Sequence, residues 1–173
     1  QLLDRAPIAE AAYKVRDLVE RLAADGIALE HIDLGGGLGI RYRDETPPPV
    51  ADYLAPLLEV FAGREEELCF EPGRSLVGNA GLLLTRIEYL KPGETKNFAI
   101  VDAAMNDLAR PALYDAWHDV VEVAPRTLAP TTYDVVGPIC ESGDFLARER
   151  DLAVTEGDLL AILSAGAYGM TMA

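Results

Sequence analysis

The stretch Ile27-Ala28-Leu29-Glu30-His31-Ile32-Asp33-Leu34-Gly35-Gly36-Gly37-Leu38-Gly39 decides the fold class. Ile27 to Leu34 reads as a short strand, and it runs straight into a glycine-rich turn. Upstream, Ile8, Ala11, Ala12, Val15, Leu18, Val19 and Leu22 recur at helical spacing between Pro7 and Asp25. Pro7 suits the first turn of that helix and Gly26 its C-terminal cap. Downstream, Val50, Tyr53, Leu54, Leu57, Leu58 and Phe61 mark a second helix, preceded by the breaker Pro47-Pro48-Pro49 and closed by Gly63. A further strand, Leu68 to Glu71, ends in Pro72-Gly73-Arg74. Helix, strand, turn, helix, strand and turn make an α/β repeat, as in a parallel sheet or a (β/α) barrel.

The pattern changes near Gly78. From Gly81 onward the runs are β-like: Leu82–Leu90, Asn97–Asp102, Val120–Ala124, Tyr133–Val136, Leu152–Val154 and Leu159–Leu163. Turn signals such as Lys91-Pro92-Gly93 and Glu156-Gly157-Asp158 separate them. The expected organisation is therefore βα units over residues 1–78 and an antiparallel β-rich domain, itself incomplete, over residues 79–173.

The 173 residues are half apolar and a quarter charged, which is the composition of a globular chain. Lys and Arg number 15 against 29 Asp and Glu, for a net charge of −14, so nucleic acid and an anionic membrane surface are disfavoured partners. No apolar run approaches the roughly 20 residues that a membrane span needs. Cys69 and Cys140 are too few for a disulfide framework and form no CxxC pair, which fits a reducing, cytoplasmic setting. His31 and His118 have no zinc-like spacing to other ligands, so no metal is assigned. Gln1 opens the sequence without a Met and Ala173 closes it after a Gly-punctuated apolar stretch, so both ends are expected to be cut.

Five motifs carry possible chemistry. Gly35-Gly36-Gly37-Leu38-Gly39 follows a strand, where glycines let backbone N–H groups converge on an anion, or simply allow a tight turn with positive φ. Glu71-Pro72-Gly73-Arg74 sets an acid and a guanidinium at a strand end. The carboxylate could hold a protonated heterocyclic nitrogen and the fork a carboxylate or phosphate, or the segment is a β-turn with a local ion pair. Arg110 and Tyr114 share a face if their segment is helical, as a donor cluster for an anion or as a solvated Arg beside a packed Tyr. Cys140, in Cys140-Glu141-Ser142-Gly143-Asp144, is either a proton donor or nucleophile or a small core residue. Tyr168, between Gly166 and Gly169, is open to a ligand or packed like any Tyr.

The order of these motifs, including Met105-Asn106-Asp107-Leu108-Ala109-Arg110-Pro111-Ala112-Leu113-Tyr114 and Ala167-Tyr168-Gly169, closely resembles the diaminopimelate decarboxylases, which share the alanine-racemase-like fold of pyridoxal-phosphate enzymes. The resemblance covers the whole chain, and Gln1 matches the end of the family's His-x-Gly-Ser-Gln segment. It implies the C-terminal βα units of a (β/α)8 barrel that binds pyridoxal 5'-phosphate, followed by the β-rich domain. It also implies that Gly35, Gly36, Gly37 and Gly39 receive the cofactor phosphate, and that Glu71 keeps the pyridine nitrogen protonated so that the ring is an electron sink. Gly73 and Arg74 border the cofactor, Arg74 also facing substrate. Arg110 and Tyr114 bind the amino-acid substrate, Glu141 reads its distal ammonium, and Tyr168 touches cofactor and substrate. Cys140 corresponds to the residue that returns a proton after CO₂ leaves, contributed across a homodimer interface.

One family feature has no counterpart. The lysine that anchors the cofactor lies in an apolar Lys-Ala-Asn context, and Lys14, Lys91 and Lys96 sit instead on a helix and around a polar turn. The expectation is a C-terminal fragment of a decarboxylase that converts meso-2,6-diaminopimelate to L-lysine, inactive by itself. Ornithine- or arginine-type decarboxylases share Glu-Pro-Gly-Arg and the Cys, but their substrates lack the distal carboxylate that Arg110 would take. A non-catalytic cofactor-binding or interaction domain is the alternative of a different class.

Overall fold

The computed structural model describes residues 6–173, which form two compact units, one reaching to Leu76 and the other Val77–Ala173. Gln1, matched above to a family segment, lies outside the described residues.

In the first unit, helix α1 (Ala6–Ala24) buries Ile8, Ala12 and Val19 along one stripe. Gly26, at φ 79°, ends it, and the Ile27 N–H returns to the Leu22 carbonyl at 2.9 Å. That return draws Ile27 into the helix terminus, so strand β1 is only His31–Asp33 and not the longer run its apolar residues suggest. Helix α2 (Val50–Val60) buries Tyr53, Leu57 and Val60 and contains Pro56. Strand β2 (Glu67–Cys69) pairs with β1 in parallel, Asp33 opposite Cys69. The segment read as a turn continues into a short helix, α3 (Gly73–Val77). The two long helices supply most of this unit's core, and Ile32 of β1 joins it.

The second unit is a six-stranded sheet. Its strands are β3 (Leu83–Lys91), β4 (Asn97–Val101), β5 (Val120–Glu122), β6 (Thr131–Val136), β7 (Phe145–Leu152) and β8 (Leu159–Ile162), with helix α4 (Ala109–Tyr114) between β4 and β5. The order across the sheet is β5-β8-β3-β4-β6-β7. The pairings are antiparallel except β4 with β6, which is parallel, so the sheet is mixed where an antiparallel one was expected. Leu83 of β3 pairs with Ile162 of β8. The outer strands approach one another: the Ala153 N–H donates to the Glu122 carboxylate at 2.8 Å, and the Arg150 guanidinium to the His118 carbonyl at 3.2 Å. The sheet is therefore nearly closed around Ile87, Val101, Leu108, Leu146, Leu160 and Ile162.

Strand β7 meets the expected run Leu152–Val154 at Leu152 alone, because Arg148-Glu149-Arg150-Asp151 breaks the apolar alternation before it. The structure explains the break. Glu149 bulges at φ 54° where the β6–β7 register shifts, and its N–H is received by buried Asp134 at 2.8 Å. Asp134 also takes the Lys96 ammonium at 3.0 Å. Arg150 turns inward and lies over the Trp117 ring, 3.3 Å from its centroid.

Candidate functional site

Parallel pairing sends the chain out of β1 and β2 at the same edge, the carboxyl end, which is where a βα sheet carries its chemistry. The turn after β1 and the turn after β2 are consequently neighbours, and the Glu71 N–H donates to the Gly35 carbonyl at 2.8 Å. Gly35 and Gly37 have φ of 71° and 115°, so the turn does need glycine for its backbone. Gly36 is required for another reason: a Cβ there would stand 2.1 Å from the Glu71 carbonyl oxygen. At Gly35 a Cβ would meet nothing within 4 Å, so one side of the turn is open space.

Side chains fix this edge. Asp33 accepts the Gly35 N–H at 2.7 Å, and Tyr53 of α2 donates its hydroxyl to the Gly36 carbonyl at 2.9 Å. Arg74 Nη1 donates to the Tyr42 hydroxyl at 2.6 Å. Tyr42 and Tyr53 escape a reading of motifs, because each is an isolated aromatic whose hydroxyl reaches the site only through the fold. Gly35, Gly36, Glu71, Gly73 and Arg74 are thus brought together, with Gly39 following buried Leu38 in the same turn.

In the second unit, Ala109–Tyr114 is helical, which sets Arg110 and Tyr114 at i and i+4 on one face. Cys140 and Glu141 lie in the connection from β6 to β7, and both are exposed. The Glu141 carboxylate accepts the Gly143 N–H at 3.2 Å. Tyr168 follows β8 in a left-handed turn at φ 57°. Close backbone packing locks that turn down: the Gly166 N–H donates to the Gly78 carbonyl at 3.0 Å, and a Cβ at Gly166 would fall 1.8 Å from the Val77 oxygen.

Two buried polar residues, not singled out as site residues in the sequence, tie these segments together. Asp144, 3% exposed, accepts the Met105 N–H at 2.6 Å and the Ile139 N–H at 2.8 Å. It therefore joins the approach to α4 with the residue preceding Cys140. His118, fully buried, faces Arg110 Nη1 at 3.0 Å through Nε2 and the Leu163 carbonyl at 2.9 Å through Nδ1. Burial pushes the His118 imidazole below its ordinary pKa; the Leu163 carbonyl opposes this, and Arg110 and Arg150 add to it. The signal for Asp144 was its place in Cys-Glu-Ser-Gly-Asp. For His118, a histidine in an otherwise unremarkable segment, there was none.

The residues of the first unit suit a phosphorylated pyridine: an open glycine turn meets the end of β2, which carries the acid Glu71 and the braced guanidinium of Arg74. An anchoring amine is not among them. Lys14 pairs with Glu10 on α1, Lys96 pairs with Asp134, and Lys91 ends β3. Among the described residues no three His, Cys, Asp or Glu side chains converge as a metal site, and no helix is long and apolar enough to cross a membrane.

Comparison with known proteins shows the family and the fold. The chain is 62% identical to the diaminopimelate decarboxylase of Pseudomonas aeruginosa over 172 residues, covering 99% of this chain and 41% of that protein. The crystal structure of diaminopimelate decarboxylase from Helicobacter pylori complexed with L-lysine superposes with a TM-score of 0.89 at 43% identity, over 100% of this chain and 43% of that one. The lysine/ornithine decarboxylase from Vibrio vulnificus complexed with putrescine shares the fold, with a TM-score of 0.84 at 22% identity over 100% of this chain and 48% of that one. The chain thus spans about two fifths of the length of the curated relatives it matches. The family described as "Pyridoxal-dependent decarboxylase, C-terminal sheet domain" matches residues 11–166, and the chain belongs to that family.

Proposed function

We propose that this chain forms the C-terminal part of a pyridoxal-phosphate-dependent diaminopimelate decarboxylase, which removes CO₂ from meso-2,6-diaminopimelate to give L-lysine. The observation that carries the reading is the 62% identity to such an enzyme across both units, over 99% of the chain. Gly35, Gly36, Gly37 and Gly39 would receive the cofactor phosphate, with Gly73 and Arg74 beside them. Glu71 would face the pyridine nitrogen and keep its proton in place. Bound there, the cofactor supplies a ring that takes up the electron pair released as CO₂ departs.

The remaining roles belong to the second unit. Arg110, with Tyr114, pairs with the distal carboxylate of the substrate, and Glu141 pairs with its distal ammonium. Cys140 delivers a proton from its Sγ to the carbon that has lost CO₂, and its exposure leaves the thiol reachable. Tyr168 contacts cofactor and substrate. The complete enzyme acts as a cytoplasmic homodimer in which Cys140 serves the partner's site, and the anchoring lysine comes from outside these 173 residues.

The test is CO₂ release by the full-length, pyridoxal-phosphate-loaded enzyme offered diaminopimelate, ornithine and arginine in turn. Diaminopimelate should be preferred strongly. Preference for ornithine or arginine would transfer the assignment to those decarboxylases, and cofactor binding without turnover of any of them would make the chain part of a carrier.

A further inference from the structure

The polarity of the two groups around His118 fixes its chemical state. A backbone carbonyl only accepts, so His118 Nδ1, 2.9 Å from the Leu163 oxygen, carries the hydrogen. A guanidinium only donates, so Nε2, 3.0 Å from Arg110 Nη1, presents its lone pair. Both demands are met by one form, the neutral ring protonated at Nδ1. A protonated imidazole would set N–H against N–H and cation against cation. Burial already disfavours that state, since the ring is inaccessible to solvent and Arg150 also lies near it, with Asp119 the opposing charge.

The ring is itself immobile. Its own backbone carbonyl accepts from Arg150 at 3.2 Å, Arg150 stacks on neighbouring Trp117, and the Leu163 N–H donates to the Asp119 carbonyl at 2.8 Å. One rigid acceptor therefore meets the guanidinium on α4, while its other nitrogen holds the chain five residues before Tyr168. Arginine has many rotamers, and a fixed acceptor 3.0 Å from its Nη1 removes most of them before a ligand arrives.

We propose that His118, as the neutral Nδ1–H tautomer, is the positioning residue that aims Arg110 at the distal carboxylate of the substrate and so sets the preference for decarboxylating diaminopimelate over lysine. This rests on the substrate role of Arg110 proposed above. It goes further by placing selectivity in a residue that touches no substrate.

The experiment uses the full-length, cofactor-loaded enzyme. Long-range ¹H–¹⁵N spectra at neutral pH should show the His118 ring neutral and protonated at Nδ1. His118→Leu should raise KM for diaminopimelate on the order of tenfold or more, with a smaller change in kcat, because the guanidinium loses its fixed orientation. Binding of the product L-lysine, which keeps that carboxylate, should weaken in parallel, whereas binding of cadaverine, which has no carboxylate, should hardly move; both are measured by calorimetry. His118→Gln, whose side-chain oxygen can reach the Nε2 position, should recover most of the loss. A ring protonated at Nε2 or on both nitrogens overturns the proposal, and this reading needs no variant to fold. So does an unchanged diaminopimelate KM in His118→Leu while Arg110→Ala raises it. If Arg110→Ala leaves the preference intact as well, the substrate role of Arg110 falls together with the inference.

Discussion

The two units hold their candidate residues by different means. In the unit reaching to Leu76, position comes first from backbone, with Asp33, Tyr53 and Tyr42 bracing the edge: two parallel strands of three residues release their turns at one side, and Glu71 hydrogen-bonds to Gly35 through main-chain atoms. In Val77–Ala173 the candidate residues lie on connections between strands, and buried side chains fasten those connections. Their cores differ in the same sense. The first is built mainly by α1 and α2, the second by inward residues of a sheet that nearly closes on itself. Away from the glycines of its turn, a site set by strand register tolerates changes in side chain, whereas a site set by buried polar contacts is exposed to single substitutions. The largest sensitivity should therefore lie in the second unit.

The strongest test of that asymmetry is kinetic. In the full-length enzyme, the role proposed for Cys140 predicts that Cys140→Ala lowers kcat by about 10²–10⁴-fold while leaving substrate affinity nearly unchanged, because a proton donor acts in the transition state. An unchanged kcat would return Cys140 to an ordinary loop residue. Next comes packing. Leu160→Ala, at a position with no solvent exposure, should cost about 2–5 kcal/mol in urea unfolding. Leu68→Ala, half-buried on β2, should cost distinctly less, and equal losses would erase the contrast between the two cores.

Asp144→Asn sharpens the comparison at the level of fastening. It leaves only one carboxamide oxygen for two backbone N–H groups, those of Met105 and Ile139, and should cost about 1–3 kcal/mol. Cys140 should then react faster with a thiol reagent as its loop loosens, and an unchanged rate would show that the loop is held otherwise.

The smallest effect belongs to the surface clamp of Arg126 on Asp158, bidentate at 2.7 and 2.5 Å. With the Thr155 N–H it holds the Asp158 carboxyl down to about 2. A carboxyl lowered on folding stabilises the fold above its unfolded value and loses that contribution as pH falls towards about 2. The urea midpoint of Asp158→Asn should therefore lie slightly below that of the parent at neutral pH, the two converging in strong acid. A gap that stays constant with pH would assign the effect to packing instead of charge.

Much of this architecture is legible in the residues. The helical spacing in α1 and α2 survives in the structure because apolar periodicity and burial coincide there. The β-like runs after Gly81 were readable because turn chemistry punctuates them. What failed has physical causes. The run from Ile27 was claimed by the end of α1, and Arg148 to Asp151 concealed a strand because Arg150 points inward onto Trp117. The parallel pairing of β4 with β6 leaves no local trace, since register between distant strands is written in no single segment. The motifs supply candidate residues, but not those that hold them in place. Tyr42, Tyr53, Asp144 and His118 each make a contact that bridges 17 to 45 residues of sequence, and neither motif nor periodicity records such contacts.

The pairing of Leu83 with Ile162 has a consequence for how this protein is made. Strand β3 is synthesised early in its unit, and one of its two neighbours, β8, follows about eighty residues later. At a ribosomal rate of about 5–20 residues per second, that edge of β3 waits roughly 4–16 s for its native partner. During this interval β3 can pair only with β4, and its other row of amide groups is open to another nascent chain. The slow, non-local closure of the sheet makes aggregation during synthesis a competing route. Destabilising changes in β8 should therefore lower the yield of folded protein by more than their equilibrium cost implies.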